Sequence, residues 1–189
     1  MDKILNFLAE AGQLKRVKRS GWWVTGIKDP ESVAEHCFRC AVIGYILAKM
    51  EKADPYKVLL MTLFNDIHES RINDLHKMGH RYIDFKTAES KVFKEQIELL
   101  PLIMRFEFEK IRKEYELQKT KESLISRDAD ILECVLQAKE YFEFGYPQTK
   151  SFIDVGGKYL VTKSGKALFK KIKTWNSKKW WFHLKKFER

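Results

Sequence analysis

The sequence is short of residues that interrupt regular structure, with four prolines and nine glycines in 189 positions. Such sparse punctuation argues against a chain of many short strands and tight turns, and leaves room for long helices. Long apolar runs are missing too. No window approaches the roughly 20 apolar residues of a membrane span, and the first ten residues, Met1 to Glu10, hold no such run, so neither an anchor nor an export signal is expected. Cysteine is scarce and odd in number: Cys37, Cys40 and Cys134 all lie in apolar, helix-like surroundings. That excludes a disulfide framework and points to free thiols in the cytoplasm. A chain of this length can bury its own hydrophobic core without a structural metal.

Negative charge is nearly absent from one end. Residues 150–189 hold 12 Lys or Arg against only Asp154 and Glu188, which leaves 24 positive and 24 negative charges in residues 1–149. A neutral body, 1–149, is therefore expected to carry a basic extension, 150–189, packed on the same domain, with the Gly145-Tyr146-Pro147 turn as the seam.

The remaining pattern is helical, and the fold class expected is all-α, a single helical bundle. Asp29-Pro30-Glu31-Ser32 and Asp54-Pro55-Tyr56-Lys57 each set a capping carboxylate before a proline, a residue suited to the first helical position. The first helix should run to about Met50 with Val33, His36, Cys40, Ile43 and Leu47 on one stripe; the second should run through Phe64 into Asn65-Asp66-Ile67-His68-Glu69. Further helical patterns extend from about Thr87 to Leu99, Pro101 to Glu114, Glu122 to Phe144 and Gly165 to Trp175. There is no internal repeat.

His36 lies on an apolar stripe, so its imidazole should point inward, as a satisfied core group or as a ligand. Asp66 and Glu69 stand three residues apart and share a helical face, which is costly inside a core unless a cation or proton relieves the repulsion. The alternative is a helix end with both acids in water. Of Asp128 and Asp130, one should be solvated or paired with Arg127 and the other face inward. These are the ingredients of an oxygen-and-nitrogen metal site. Cys37-x-x-Cys40 has no second cysteine pair and reads as small apolar packing. His76 and His80 flank Met78-Gly79 in a loop and read as exposed loop polarity; His183 is uninformative.

Four stretches in order resemble the HD-domain phosphohydrolases, most closely the YfbR-type 5'-deoxynucleotidases and the HD domain-containing protein 2 group. They are Arg19-Ser20-Gly21-Trp22; Pro30 to His36; Asn65 to Glu69 with Ile72-Asn73-Asp74-Leu75; and Asp130 with Val135-Leu136-Gln137-Ala138. The resemblance implies that His36, Asp66 and Asp130 match metal ligands, that Glu69 helps activate the attacking water, that Asp74 contacts the sugar hydroxyl, and that Arg19 holds the phosphate. It implies for Trp22, or Trp23, a part in preferring deoxyribose. It further implies a homodimer that uses a divalent metal ion (Mn, Co or Mg) to remove the 5'-phosphate of (deoxy)nucleoside monophosphates.

Asn65 departs from this pattern, because it stands where the family's doublet has histidine. Its carbonyl could still ligate a hard cation; His68, on the same face, could swing in; or the protein could bind nucleotides or nucleic acid without turnover. Lastly, the extension mixes lysines with Trp175, Trp180, Trp181, Phe182 and Phe187. That composition suits nucleic acid or an anionic surface, but packing of the aromatics on the body or across a dimer is favoured, with the lysines solvated.

Overall fold

The structure, a computed structural model, describes residues 1–184. Its helices, in chain order, are α1 (Asp2–Gln13), α2 (Val33–Glu51), α3 (Pro55–Phe64), α4 (Glu69–Ile72), α5 (Phe85–Ile97), α6 (Leu102–Leu117), α7 (Lys121–Glu143), α8 (Lys150–Gly156) and α9 (Lys163–Thr174). Among the described residues the chain is all-α; its only strand-like pairing is an isolated antiparallel bridge between Lys18 and Ser32. No helix among them is long and apolar enough to cross a membrane.

Local chemistry sets the helix ends. Asp54 caps α3 as expected, accepting from the backbone N–H groups of Tyr56 and Lys57 with Pro55 at the first helical position. The start of α2 is different. Asp29 and Pro30 precede the helix, and the cap is Ser32, which accepts from the Glu35 N–H while the Glu35 side chain accepts from the Ser32 N–H. This reciprocal capping box satisfies two orphan donors, which Asp29, three residues earlier, is too distant to do. After Phe64 the backbone bonds tighten to i+3 steps, Ile67 to Phe64 and Glu69 to Asp66, so the expected continuation of α3 becomes a tight turn leading into α4.

The longest helix, α7, is the hub, with α2, α3, α6, α8 and α9 packed against it. The expected α2 stripe is buried throughout: Val33, His36, Cys40, Ile43 and Leu47 are all under a tenth exposed. Ile43 and Leu47 join Val58, Ile125, Leu132 and Val135 in the larger apolar cluster. Each fully buried aliphatic side chain there contributes about 1.5–3 kcal/mol. Gly44 lets α2 and α3 approach, since a Cβ there would lie 2.9 Å from a Val58 methyl. A second cluster, around Phe7, Val33, Ile67, Phe93 and Ile97, seats α1 and α5.

The basic extension is joined to the body through carboxylates: Glu51 accepts from the Ser164 N–H, Glu143 from Ser177, and the buried Asp128 from the 161–162 backbone. Asp128, fully buried on α7, accepts from the N–H groups of Val161 (3.0 Å) and Thr162 (2.8 Å) and from the Thr162 hydroxyl (2.6 Å). Neither Asp128 nor Asp130 pairs with Arg127, which is exposed: Asp128 is fully buried on the 161–162 backbone, and Asp130, partly exposed, meets His36. Ile172 is buried, and Leu168 and Phe169 pack beside it on the same cluster. The tryptophans do not follow: Trp175, Trp180, Trp181 and Phe182 are 41–64% exposed, and Phe187 lies outside the described residues.

Asp128→Ala removes the acceptor of two backbone N–H groups and the Thr162 hydroxyl and is expected to lower the unfolding free energy by about 2–4 kcal/mol, measured by urea denaturation. Wild-type stability in this variant would contradict the pinning role.

Candidate active site

Arg19 and His36, 17 residues apart, are drawn together by main-chain pairing. Arg19 N–H donates to the Glu31 carbonyl at 3.0 Å and Val33 N–H to the Val17 carbonyl at 2.8 Å, so the segment before α2 lies alongside the helix start. From α2, His36 projects into the seam with α7. Its Nδ1 lies 2.5 Å from Glu133 Oε2, and its Nε2 lies 3.1 Å from Asp130 Oδ1 and 3.5 Å from Asp66 Oδ2. Burial and the nearby Arg19 charge oppose protonation of this imidazole, but hydrogen bonds to Asp130 and Glu133 overcome them and raise its pKa to about 10. A proton or a cation at Nε2 is what this arrangement calls for.

Asp66 is supplied by the tight turn after α3, and Glu69 by the start of α4. Both are buried, so the alternative in which they face water is not what forms. Glu69 Oε2 has no hydrogen-bond partner. Burial, then repulsion from Asp66 and Asp74, pushes the Glu69 carboxyl well above the usual range. Asn73, at the positive φ of 62° with an extended ψ of 166°, ends α4 and turns the chain so that Asp74 accepts from the Ser20 N–H at 2.5 Å. Arg19 Nη1 then stands 3.8 Å from Asp74 and 4.0 Å from Asp66. Burial works against the guanidinium, but Asp66, Asp130 and Asp74 hold it firmly charged.

Asp66 and Asp130 thus each bring a carboxylate oxygen to His36 Nε2, while the donors that lie within 4.8 Å of one another, among the described residues, are those of His36, Cys40 and Asp130 and those of Glu31, His36 and Glu133. An imidazole nitrogen with carboxylate oxygens fits a hard or borderline divalent cation. Burial raises the Cys40 thiol well above the ordinary range and keeps it protonated, as it does for Cys37, whose Sγ sits 3.9 Å from Asp66 Oδ2.

Other residues named from the sequence fall elsewhere. Asn65 Nδ2 donates to Asp66 Oδ1 at 2.7 Å, so its amide orients a carboxylate. His68 is buried but held by Glu89, at 3.0 Å, which is itself paired with Arg112; it is not brought to the other donors. Trp22 is 2% exposed, donates its indole N–H to Glu31 Oε1 at 2.9 Å, and packs on Tyr141 and Phe152. Trp23 is half exposed. His80 Nε2 pairs with the Leu75 carbonyl, and its ring packs on Phe85.

Glu133 went unnoticed in the sequence, though it follows Asp130 by three residues, the spacing of one helical turn. It is fully buried, and Arg39, likewise three residues past His36, donates to it at 2.9 Å and to Glu140 at 2.8 Å. Glu31 was also missed; burial, then Glu133, pushes its carboxyl up to about 7, against the pull of His36 and Trp22.

The chain matches the HD domain family over residues 11–163. It is similar to the 5'-deoxynucleotidase HDDC2 of Dictyostelium discoideum, at 34% identity over 75% of this chain and 78% of that protein. It is similar to the 5'-deoxynucleotidase HDDC2 of Homo sapiens, at 32% identity over 73% of this chain and 68% of that one. Among solved structures, a conserved hypothetical protein from Pyrococcus furiosus superposes with a TM-score of 0.78 at 27% identity, covering 90% of this chain and 99% of that one.

Glu133→Ala removes the partner of both His36 Nδ1 and Arg39 and is expected to cost about 3–5 kcal/mol of stability in urea unfolding, with Glu133→Gln costing less. Equal losses in the two variants would show that charge at this position is immaterial.

Proposed function

The chain belongs to the HD domain family, and from that membership we propose that it is a metal-dependent 5'-nucleotidase acting on (deoxy)nucleoside monophosphates. The observation that carries this reading is that Asp66 and Asp130 both meet His36 Nε2, at 3.5 and 3.1 Å, with Arg19 Nη1 4.0 Å from Asp66 and an unpartnered oxygen on buried Glu69. His36, Asp66 and Asp130 would hold the cation, with Asn65 completing the set as a ligand or, as its donated hydrogen bond favours, by fixing Asp66. A divalent cation there supplies two things: a lowered pKa for a bound water and polarisation of a phosphoryl oxygen.

The chain's own residues do the rest. Arg19, held charged by three carboxylates, grips the monoester oxygens through its planar fork of donors. Glu69 takes the proton of the attacking water. Its raised affinity for protons makes it a competent acceptor once the repulsion from Asp66 and Asp74 is offset, which ties the base to an occupied site. Asp74 anchors the Arg19 loop through Ser20 and stands where a sugar hydroxyl could exchange for that contact. Asp130, with 38% of its side chain exposed, marks the boundary between the buried donors and the open cleft.

A second reading, nucleotide binding without turnover, is favoured by one observation: Asn65 presents an N–H donor to Asp66 at the position where the family pattern has an imidazole. A homodimer is supported by Phe38, Val42 and Tyr45, which leave an apolar stripe on the outer face of α2, each more than two fifths exposed.

Phosphate release from dAMP, dGMP, dCMP and TMP, measured with Mn²⁺, Co²⁺ or Mg²⁺, should be abolished by a chelator and restored by added metal. Glu69→Gln should lower kcat by about 100-fold or more with little change in KM, and Arg19→Ala should lower kcat/KM by about 10- to 100-fold. Asn65→His should reduce the metal concentration needed for half-maximal rate by about tenfold. Absence of turnover with every metal, in both the wild type and Asn65→His, would refute the enzyme reading in favour of the binding one.

A further inference from the structure

The last described turn of the chain carries large apolar side chains that the fold leaves outside. Ser177–His183 form a 3₁₀ turn after α9, capped by Asn176. Its first residue is fixed to the body: the Ser177 N–H and hydroxyl both donate to Glu143, at 2.9 and 2.6 Å. Beyond that anchor, Lys178 to Phe182 are all exposed. Trp180, Trp181 and Phe182 are 63%, 46% and 64% exposed, and Leu184, just past the turn, is 57% exposed. Side chains leave a 3₁₀ turn about 120° apart, so three consecutive exposed rings place the turn outside the body as an aromatic knob. Phe144, exposed at the end of α7, lies at its foot, with Lys178 Nζ 4.8 Å from the ring centroid.

The ground around this knob is basic. Between Asp154 and Glu188 the sequence has ten lysines and no acidic residue. On α9, Leu168, Phe169 and Ile172 pack into the main apolar cluster, and Lys163, Lys166, Lys170 and Lys173, at spacings of three and four, form an exposed stripe on the opposite face. That stripe is about 15 Å long and leads towards the aromatic turn. The carboxylate at the foot of the turn, Glu143, is engaged by Ser177 and by Lys139 at 3.0 Å, and Asp154 is engaged by Lys150.

An apolar tip beside a stripe of cations is complementary to a surface that is anionic outside and apolar just beneath. We propose that this face docks on a membrane surface carrying anionic phospholipid, with Trp180, Trp181, Phe182 and Leu184 entering the headgroup boundary and the α9 lysines meeting the phosphates. Such contact needs no membrane-spanning helix. Ring geometry favours lipid over single-stranded nucleic acid. Trp180 and Trp181 meet at 90° and Trp181 and Phe182 at 78°, with centroids 5.6 and 5.7 Å apart, so the rings pack edge to face on one another. Bases stack on open ring faces, and an aliphatic Leu184 gives them none. Charge decides against a second copy of the same face, because a two-fold pairing would set one lysine stripe against the other.

The full-length protein is mixed with vesicles of phosphatidylcholine, alone or with about a quarter of phosphatidylglycerol, and binding is read by co-sedimentation and tryptophan emission. Binding should be at least tenfold tighter to the anionic vesicles, weaken as salt is raised, and move the emission to shorter wavelength. Substitution of Trp180, Trp181 and Phe182 together by Ala should keep the wild-type urea midpoint and weaken binding at least tenfold. Lys166→Glu with Lys170→Glu should also weaken it tenfold or more, since each lysine near an anionic bilayer strengthens binding about fivefold. Equal binding to both kinds of vesicle, no binding to either, or undiminished binding by either variant overturns the proposal. So does tighter binding to a single-stranded oligodeoxynucleotide than to the anionic vesicles, which would assign the face to nucleic acid. A wild-type dimer that ignores vesicles and dissociates in the triple variant, seen by analytical ultracentrifugation, would overturn it in favour of a second copy.

Discussion

The imidazole of His36 joins two helices through the two nitrogens on the edge of one ring. Nδ1 meets Glu133, and Nε2 meets Asp130 and Asp66, so the α2–α7 seam has a polar group at its centre satisfied on both sides. A buried imidazole left half paired would cost more than the apolar residues around it could return. The positions of Arg39, Glu133 and Glu140 follow from this need, as does the placement of the tight turn that delivers Asp66. The pairing of Nδ1 with a carboxylate fixes which nitrogen is free to face the cleft, the arrangement by which outer groups orient metal-binding histidines.

Much of this was legible in the sequence, and the parts that were not share a cause. The stripe from Val33 to Leu47 was readable because burial of a helix face repeats with the helical period. The cap at Asp54 was readable because capping is local. At Asp29 the same signal misled, since Ser32 and Glu35 satisfy the helix start closer in. Asp128 and Asp130 could not be told apart by pattern: which carboxylate meets His36 and which meets the 161–162 backbone depends on groups more than 30 residues away. Glu31, Glu133 and the α8 side of the cleft were invisible for the same reason. The resemblance to HD-domain phosphohydrolases supplied roles, and the structure supplies neighbours.

Charge composition divided the chain at about residue 150, yet the packing crosses that line. Asp128 holds the 161–162 backbone, Ile172 enters the main apolar cluster, and α8 walls the cleft beside Asp130. A segment can therefore be basic on its solvated face and structural on its inner one, because long lysine side chains leave the apolar face of the same helix free to pack.

The short pairing that sets Arg19 beside Glu31 has a consequence for how such chains vary. Because both ends of the intervening excursion are fastened, Arg19 through main-chain bonding and Ser32 through its capping box, the outer part of the loop is released from any duty of spacing. Lys28 and Asp29 are exposed, just beyond the left-handed Gly26. Residues gained or lost there would lengthen or shorten a surface loop while the arginine and the histidine kept their separation. Related chains can thus differ in length between these two groups and still bring them to the same place.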